Sequence, residues 1–149
     1  MSSYFQNGIT AGSNPSRGAS TDFGVAVLMK SVEVTTLADG SAVSGTITLP
    51  ANSSIVDYKV DRVVAPSVGG GTATTLPVTV GTAAASTQYM NSVDLFSTAR
   101  AAPTLSAAQV LALSNIGSNT NVVVTVDPNG TILTTQARVR LTVQYVPSV

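Results

Sequence analysis

A chain of 149 residues without a single cysteine or histidine is long enough to bury one core, and must do so without disulfides or thiolate metal centres. Losing histidine as well removes the usual general base near neutral pH and the commonest metal ligand, so most hydrolase and metalloenzyme constellations are excluded and neither catalysis nor a cofactor is expected. Seven basic side chains balance seven acidic ones and are scattered singly apart from Arg138 and Arg140, which excludes a nucleic-acid stripe or a polybasic membrane patch.

Charged residues make up only 9% of the chain, against roughly 25% in ordinary domains, while Thr (20) and Ser (18) are abundant. The surface is therefore hydroxyl-rich or partly covered by other chains. Mean hydropathy is +0.33, yet the longest apolar run, around Val25 to Met29, falls far short of the ~20 residues that span a bilayer. The opening MSSYFQNGIT lacks the basic start and apolar core of a signal peptide, so synthesis in the cytoplasm is expected and the sequons at Asn52 and Asn129 are accidental.

Residues 1–22 are Ser, Gly, Asn, Thr and Ala around a few apolar anchors, Tyr4, Phe5 and Ile9, with Arg17 as a basic contact. Such a segment cannot bury enough apolar area to order itself, and reads either as an arm that orders against a partner or as a frayed terminus. From Phe23 to the end the composition is that of pleated sheet, with 47 Val, Thr and Ile residues in the whole chain. Strands are expected over 24–36, 45–49, 55–65, 74–80, 121–126 and 137–146. The last alternates most cleanly, with Val139, Leu141, Val143 and Tyr145 inward and Arg138, Arg140, Thr142 and Gln144 outward.

Turn chemistry separates them. Ala38-Asp39-Gly40-Ser41 suits a hairpin between the first two strands, Asp127-Pro128-Asn129-Gly130 suits a tight reversal, and Gly69-Gly70-Gly71 marks a mobile loop tip. A short helix is expected near Leu105 to Leu113, capped by Thr104 or Ser106, carrying Val110 and Leu111, and stopped by Gly117. Many short strands, regular turns and one short helix predict an all-β antiparallel sandwich or jelly roll over residues 23–149, preceded by an extended arm.

The densest charge lies in ITLPANSSIVDYKVDRVV, residues 47–64. Counting in twos puts Val56, Tyr58, Val60 and Val64 on one face and Asp57, Lys59 and Asp61 on the other. Asp57 and Asp61 stand four residues apart, roughly 13 Å at ~3.3 Å per residue, wider than the ~5–9.5 Å of a glycosidase carboxylate pair. The stretch therefore reads as a charge row on a solvated or interfacial sheet.

Other chemical readings weaken on inspection. GVAVLMKS, residues 24–31, ends like a phosphate loop but is a Val-rich strand without the second glycine. A Ser–Lys dyad could use only Lys30 or Lys59, and both lie among polar strand positions. A sugar platform would have to rest on Tyr89 and Tyr4, since Tyr58 and Tyr145 have core periodicity and there is no Trp. The acidic residues do not converge from one loop as calcium requires.

Four stretches between residues 47 and 146 carry a resemblance: ITLPANSSIVDYKV, LPVTVGTAAASTQYM, APTLSAAQVLALSNIGSNTNVVVTV and ARVRLTVQYV. Their order resembles the small decoration, or cement, proteins of tailed-bacteriophage heads. The resemblance implies a β-sandwich or jelly-roll body, a symmetric oligomer (usually a homotrimer), and a place on the outer capsid surface of the virion at local three-fold positions, with the major capsid protein as partner. It brings no catalytic residues, cofactor, nucleic acid or membrane. On this reading the arm, through Tyr4, Phe5, Ile9 and Arg17, and one sandwich face bridge neighbouring capsid subunits. A glycan- or receptor-binding module of a head fibre or spike shares the all-β architecture, as does a subunit that donates its arm to a sister copy.

Overall fold

In the computed structural model, residues 26–101, 105–114 and 118–147 are described. The arm residues Tyr4, Phe5, Ile9 and Arg17 lie outside them, as do the expected helix cap Thr104 and stop Gly117. The strands are β1 (Leu28–Thr35), β2 (Val43–Leu49), β3 (Ser54–Val64), β4 (Pro77–Gly81), β5 (Met90–Asp94), β6 (Arg100–Ala101), β7 (Thr120–Val126) and β8 (Arg138–Val146). One helix, α1 (Ala107–Ser114), lies between β6 and β7.

Two four-stranded sheets face each other, in the orders β1-β8-β3-β6 and β2-β7-β4-β5, and every pairing is antiparallel. Among these strands only β4 and β5 are consecutive partners; the other connections pass between the sheets. That order is a jelly roll, the expected fold class. The first sheet is called sheet A below and the second sheet B.

Alternation explains the core. Val139, Leu141, Val143 and Tyr145 of β8 are buried while Arg138 and Arg140 are exposed. The facing layer comes from Ile47 and Leu49 of β2, Val78 and Val80 of β4, and Val122, Val124 and Val126 of β7. Each such side chain stabilises the fold by about 1.5–3 kcal/mol on burial. Among the described residues no buried side-chain nitrogen or oxygen lacks a hydrogen-bond partner. Buried Thr36 shows how: its hydroxyl accepts from the Ala137 amide at 2.9 Å.

The structure corrects several expectations. Residues 38–41 do not close a hairpin, because β1 pairs with β8 and β2 with β7. The turn instead carries the chain from one sheet to the other, with the Asp39 carboxylate accepting the Ser41 amide at 2.9 Å. Gly40 adopts φ +80 there, and a side chain at that position would run into the Gly130 carbonyl. Two strands, β5 and β6, go beyond the expected set. In the Gly69–Gly71 triplet Gly69 lies against Thr134 and Gly71 against Thr131, while Gly70 stands open at the tip.

Val56 also faces outward, at 57% exposure, while Ile55 is buried. The cause is a β-bulge: Ile55 pairs with Tyr145 and Asp57 with the adjacent Gln144, so Val56 is an extra residue. Beyond it the expected phase holds, with Tyr58 and Val60 buried.

Candidate functional site

The register of sheet A sets its charges in a row. Glu33 pairs with Arg140, Arg140 with Asp61, and Asp61 with Arg100, so one level across β1, β8, β3 and β6 alternates in sign. Arg140 donates to Glu33 from Nη2 at 2.5 Å and from Nε at 2.8 Å, and Arg138 Nε lies 3.4 Å from the other Glu33 oxygen. Arg100 Nε meets Asp61 at 2.5 Å, and Lys59 lies 3.8 Å from Asp57. The hydrogen bond from Arg140, together with the charges of Arg140 and Arg138, holds the Glu33 carboxyl below the usual range. Asp57, Lys59 and Asp61 do share a face, as expected.

That face carries seven of the chain's fourteen acidic and basic side chains: Glu33, Asp57, Lys59, Asp61, Arg100, Arg138 and Arg140. The pairs are well hydrated, so they keep the face soluble and contribute little to stability. Each carboxylate of the row is engaged by an arginine, an arrangement of mutual neutralisation.

Sheet B differs. The residues of β2, β7 and β4 that point away from the core are Ser44, Thr46, Thr48, Asn121, Val123, Thr125, Pro77, Thr79 and Gly81, none of them charged. Val123, Thr125 and Gly81 are buried, and on β5 the carboxylate of Asp94, opposite Pro77, accepts the Leu76 and Phe96 amides. Hydroxyl and amide groups tie neighbouring strands, Ser44 to Thr125 at 2.8 Å and Thr48 to Asn121 at 2.8 Å. The β4–β5 loop folds over one end, where the Ala85 amide donates to Thr125 Oγ1 at 2.9 Å.

Neither lysine is placed for a dyad. Lys30 is exposed and donates to the Thr48 carbonyl at 2.7 Å, with its ammonium 5.8 Å from the centre of the Tyr145 ring. It stitches the edge of sheet A to the edge of sheet B. Lys59 is about half exposed beside Asp57. Neither is buried.

The expected sugar platform is overturned at Tyr89, which is buried at 2% exposure. Its carbonyl accepts the Tyr58 hydroxyl at 2.7 Å. Tyr4, its supposed companion, lies outside the described residues. Among the described residues no group of three or more acidic side chains could hold a metal ion, and no helix is long and apolar enough to cross a membrane.

Helix α1 buries Gln109 along with Leu113 and leaves two large apolar side chains outside. Ser106 and Gln109 form a capping box, the Gln109 amide donating to Ser106 Oγ at 3.3 Å and the Ser106 amide to Gln109 Oε1 at 2.9 Å. Gln109 is turned inward and donates to the Thr87 carbonyl at 2.9 Å, while Val110 (53%) and Leu111 (74%) face out. Beside the helix a cavity of about 330 Å³ opens between α1 and β3, lined by the buried Tyr58, Ala101 and Leu113, by Val56 and Leu105, and by the exposed charged residues Asp57, Lys59 and Arg100. It exists because β6 is two residues long and pairs only with Val60 and Asp61, so on the edge of β3 away from β8 no described strand runs beside Val56 to Lys59. The uncharged AAQVLALS was visible in the sequence as a helix; that Gln109 turns inward while Val110 and Leu111 face out was not.

No protein-family model matches the sequence, and no curated protein matches it. Among solved structures the chain is similar to one described as the acidic stable capsid structure of Helicobacter pylori bacteriophage KHP30. The two are 17% identical, over 81% of this chain and 95% of that one, with a TM-score of 0.47. A likeness at that level carries no functional argument.

Proposed function

We propose that this chain is a structural protein of a phage virion, a decoration protein that binds the outside of the head as a symmetric oligomer and resists separation of the major capsid subunits. The observation that carries this reading is the contrast between the two outer faces. Sheet A presents the paired charge row, suited to water, whereas the exposed part of sheet B, Ser44, Thr46 and Thr48 of β2 with Asn121 of β7, presents hydroxyls and an amide and no charge. A neutral face can be covered by another protein without stranding an ion, which would cost several kcal/mol. Each hydroxyl or amide contact contributes only about 1 kcal/mol net, so firm attachment comes from repetition by symmetry. The sequence resemblance to phage decoration proteins supports the same reading.

The test is binding of purified chain to heads assembled without it. Thr46→Arg with Thr48→Arg, on sheet B, is expected to abolish binding, whereas Asp57→Ala with Lys59→Ala, on sheet A, leaves it intact. Binding that survives the sheet B change and is lost with the sheet A change would overturn the assignment of faces. A chain that binds no heads at all ends the proposal.

A further inference from the structure

The cavity beside α1, the bulged Val56 and the outward Val110 and Leu111 form an apolar surface on the β6 side of sheet A. We propose that it receives the N-terminal segment of a second copy of this chain. This rests on the self-association within the proposed function, but not on binding to a capsid.

Three observations point to that occupant. Residues 1–25 precede the described part, and their first sixteen residues hold Tyr4, Phe5 and Ile9 with no charged side chain, which matches an apolar recess. Twenty-five residues reach at most roughly 80 Å at ~3.3 Å each, ample to cross to a neighbour. The segment also leaves the body at Leu28 on β1, the edge strand opposite β6 in sheet A.

Donor and acceptor therefore sit on opposite edges of one sheet. Folding back onto the same copy would take a segment whose first sixteen residues have no charged side chain across β8 and β3, over the row of Glu33, Arg140 and Asp61. Passing it to the next copy is a head-to-tail contact, and a head-to-tail contact repeated by rotation closes a ring. The outward apolar residues of α1 gain cover in the same step.

The absence of cysteine makes disulfide trapping clean. Chain carrying Phe5→Cys is mixed with chain carrying Val56→Cys and oxidised gently, and the double variant is oxidised alone at high dilution. A crosslink between the two single variants, together with loss of the oligomer on deleting residues 1–22, is the expected result. Light scattering on Leu111→Asp, a surface change that leaves the core untouched, should show the same loss, while Thr46→Arg on sheet B keeps the oligomer. A disulfide formed only within one copy of the double variant would overturn the proposal. So would no crosslink, or an unchanged oligomer after the deletion. Because no capsid is present, failure here is distinguishable from failure to bind heads.

Discussion

The hydroxyl of Tyr58 on β3 donates to the backbone carbonyl of Tyr89 at 2.7 Å, and so joins sheet A to the residue that leads into β5 of sheet B. Both rings are buried, at 6% and 2% exposure. Tyr58→Phe withdraws the donor without changing the packing volume. The expected loss is about 1–2 kcal/mol, read as a lower urea midpoint with an unchanged slope.

The same residue sets an alkaline limit. Burial, with a smaller contribution from the charge of Asp57, pushes the Tyr58 phenol from 10.0 up to about 12. Stability from keeping it neutral is whole below pH 10 and is lost as the pH climbs toward 12. Glu33 and Asp39 run the other way. Arg140 lowers the first from 4.5 and the Ser41 amide lowers the second from 3.8, so their contributions are present above those values and vanish as the pH falls through the lower folded ones. With no histidine in the chain, unfolding midpoints measured from about pH 6 to 8 should be flat. A steep step in that interval would contradict the assignment.

Gly45 on β2 lets the edges of the two sheets meet. A methyl group there would stand 2.6 Å from Val34 Cγ2 and 3.0 Å from Val32 Cγ2. Gly45→Val, although it places a better strand former in a strand, is expected to cost about 1–3 kcal/mol by overpacking. Calorimetry would show this as a fall of several degrees in Tm.

Gln109 closes the capping box and anchors α1 through the Thr87 carbonyl. Gln109→Ala removes both ties and should loosen the helix. Hydrogen exchange is expected to quicken over residues 107–113 with little change in β8, and oligomer mass by light scattering should fall if α1 helps to receive the partner's segment.

The charge row predicts an absence of effect. Arg100→Ala and Arg140→Ala should leave Tm close to that of the parent, and 1 M salt should move all three alike, because exposed pairs are screened. Strong dissociation of the oligomer by moderate salt would mean that the row is part of an interface.

Much of this fold was legible because β8 and most of β3 obey a period of two, which is a statement about which side is buried, while β7 is a β-branched run buried on both sides. Local exceptions erased the rest. A single extra residue at Val56 reversed the phase of its stretch, and the spacing of residues cannot announce a bulge. β6 is two residues long and β5 pairs through a register shift, so neither had a repeat to detect. The turn at 38–41 has hairpin chemistry but crosses between sheets, a choice made by β8 and β7 more than eighty residues away. Tyr89 precedes a strand in a loop, where exposure depends on what folds over it. Of the surfaces, the charged face was readable from Asp57, Lys59 and Asp61; the cavity arises where strands end, and no motif encodes that.

The place of β8 between β1 and β3 has a consequence for how the molecule is made. β1 has no sheet partner, and β3 only the short β6, until residues 138–146 have left the ribosome; β2 waits in the same way for β7, and β4 until then pairs with β5 alone. Folding is then dominated by late, long-range pairing, which is slow and leaves strand edges bare meanwhile. The sandwich accordingly closes only when translation is almost finished, so any surface that needs both sheets in place is the last thing the chain acquires.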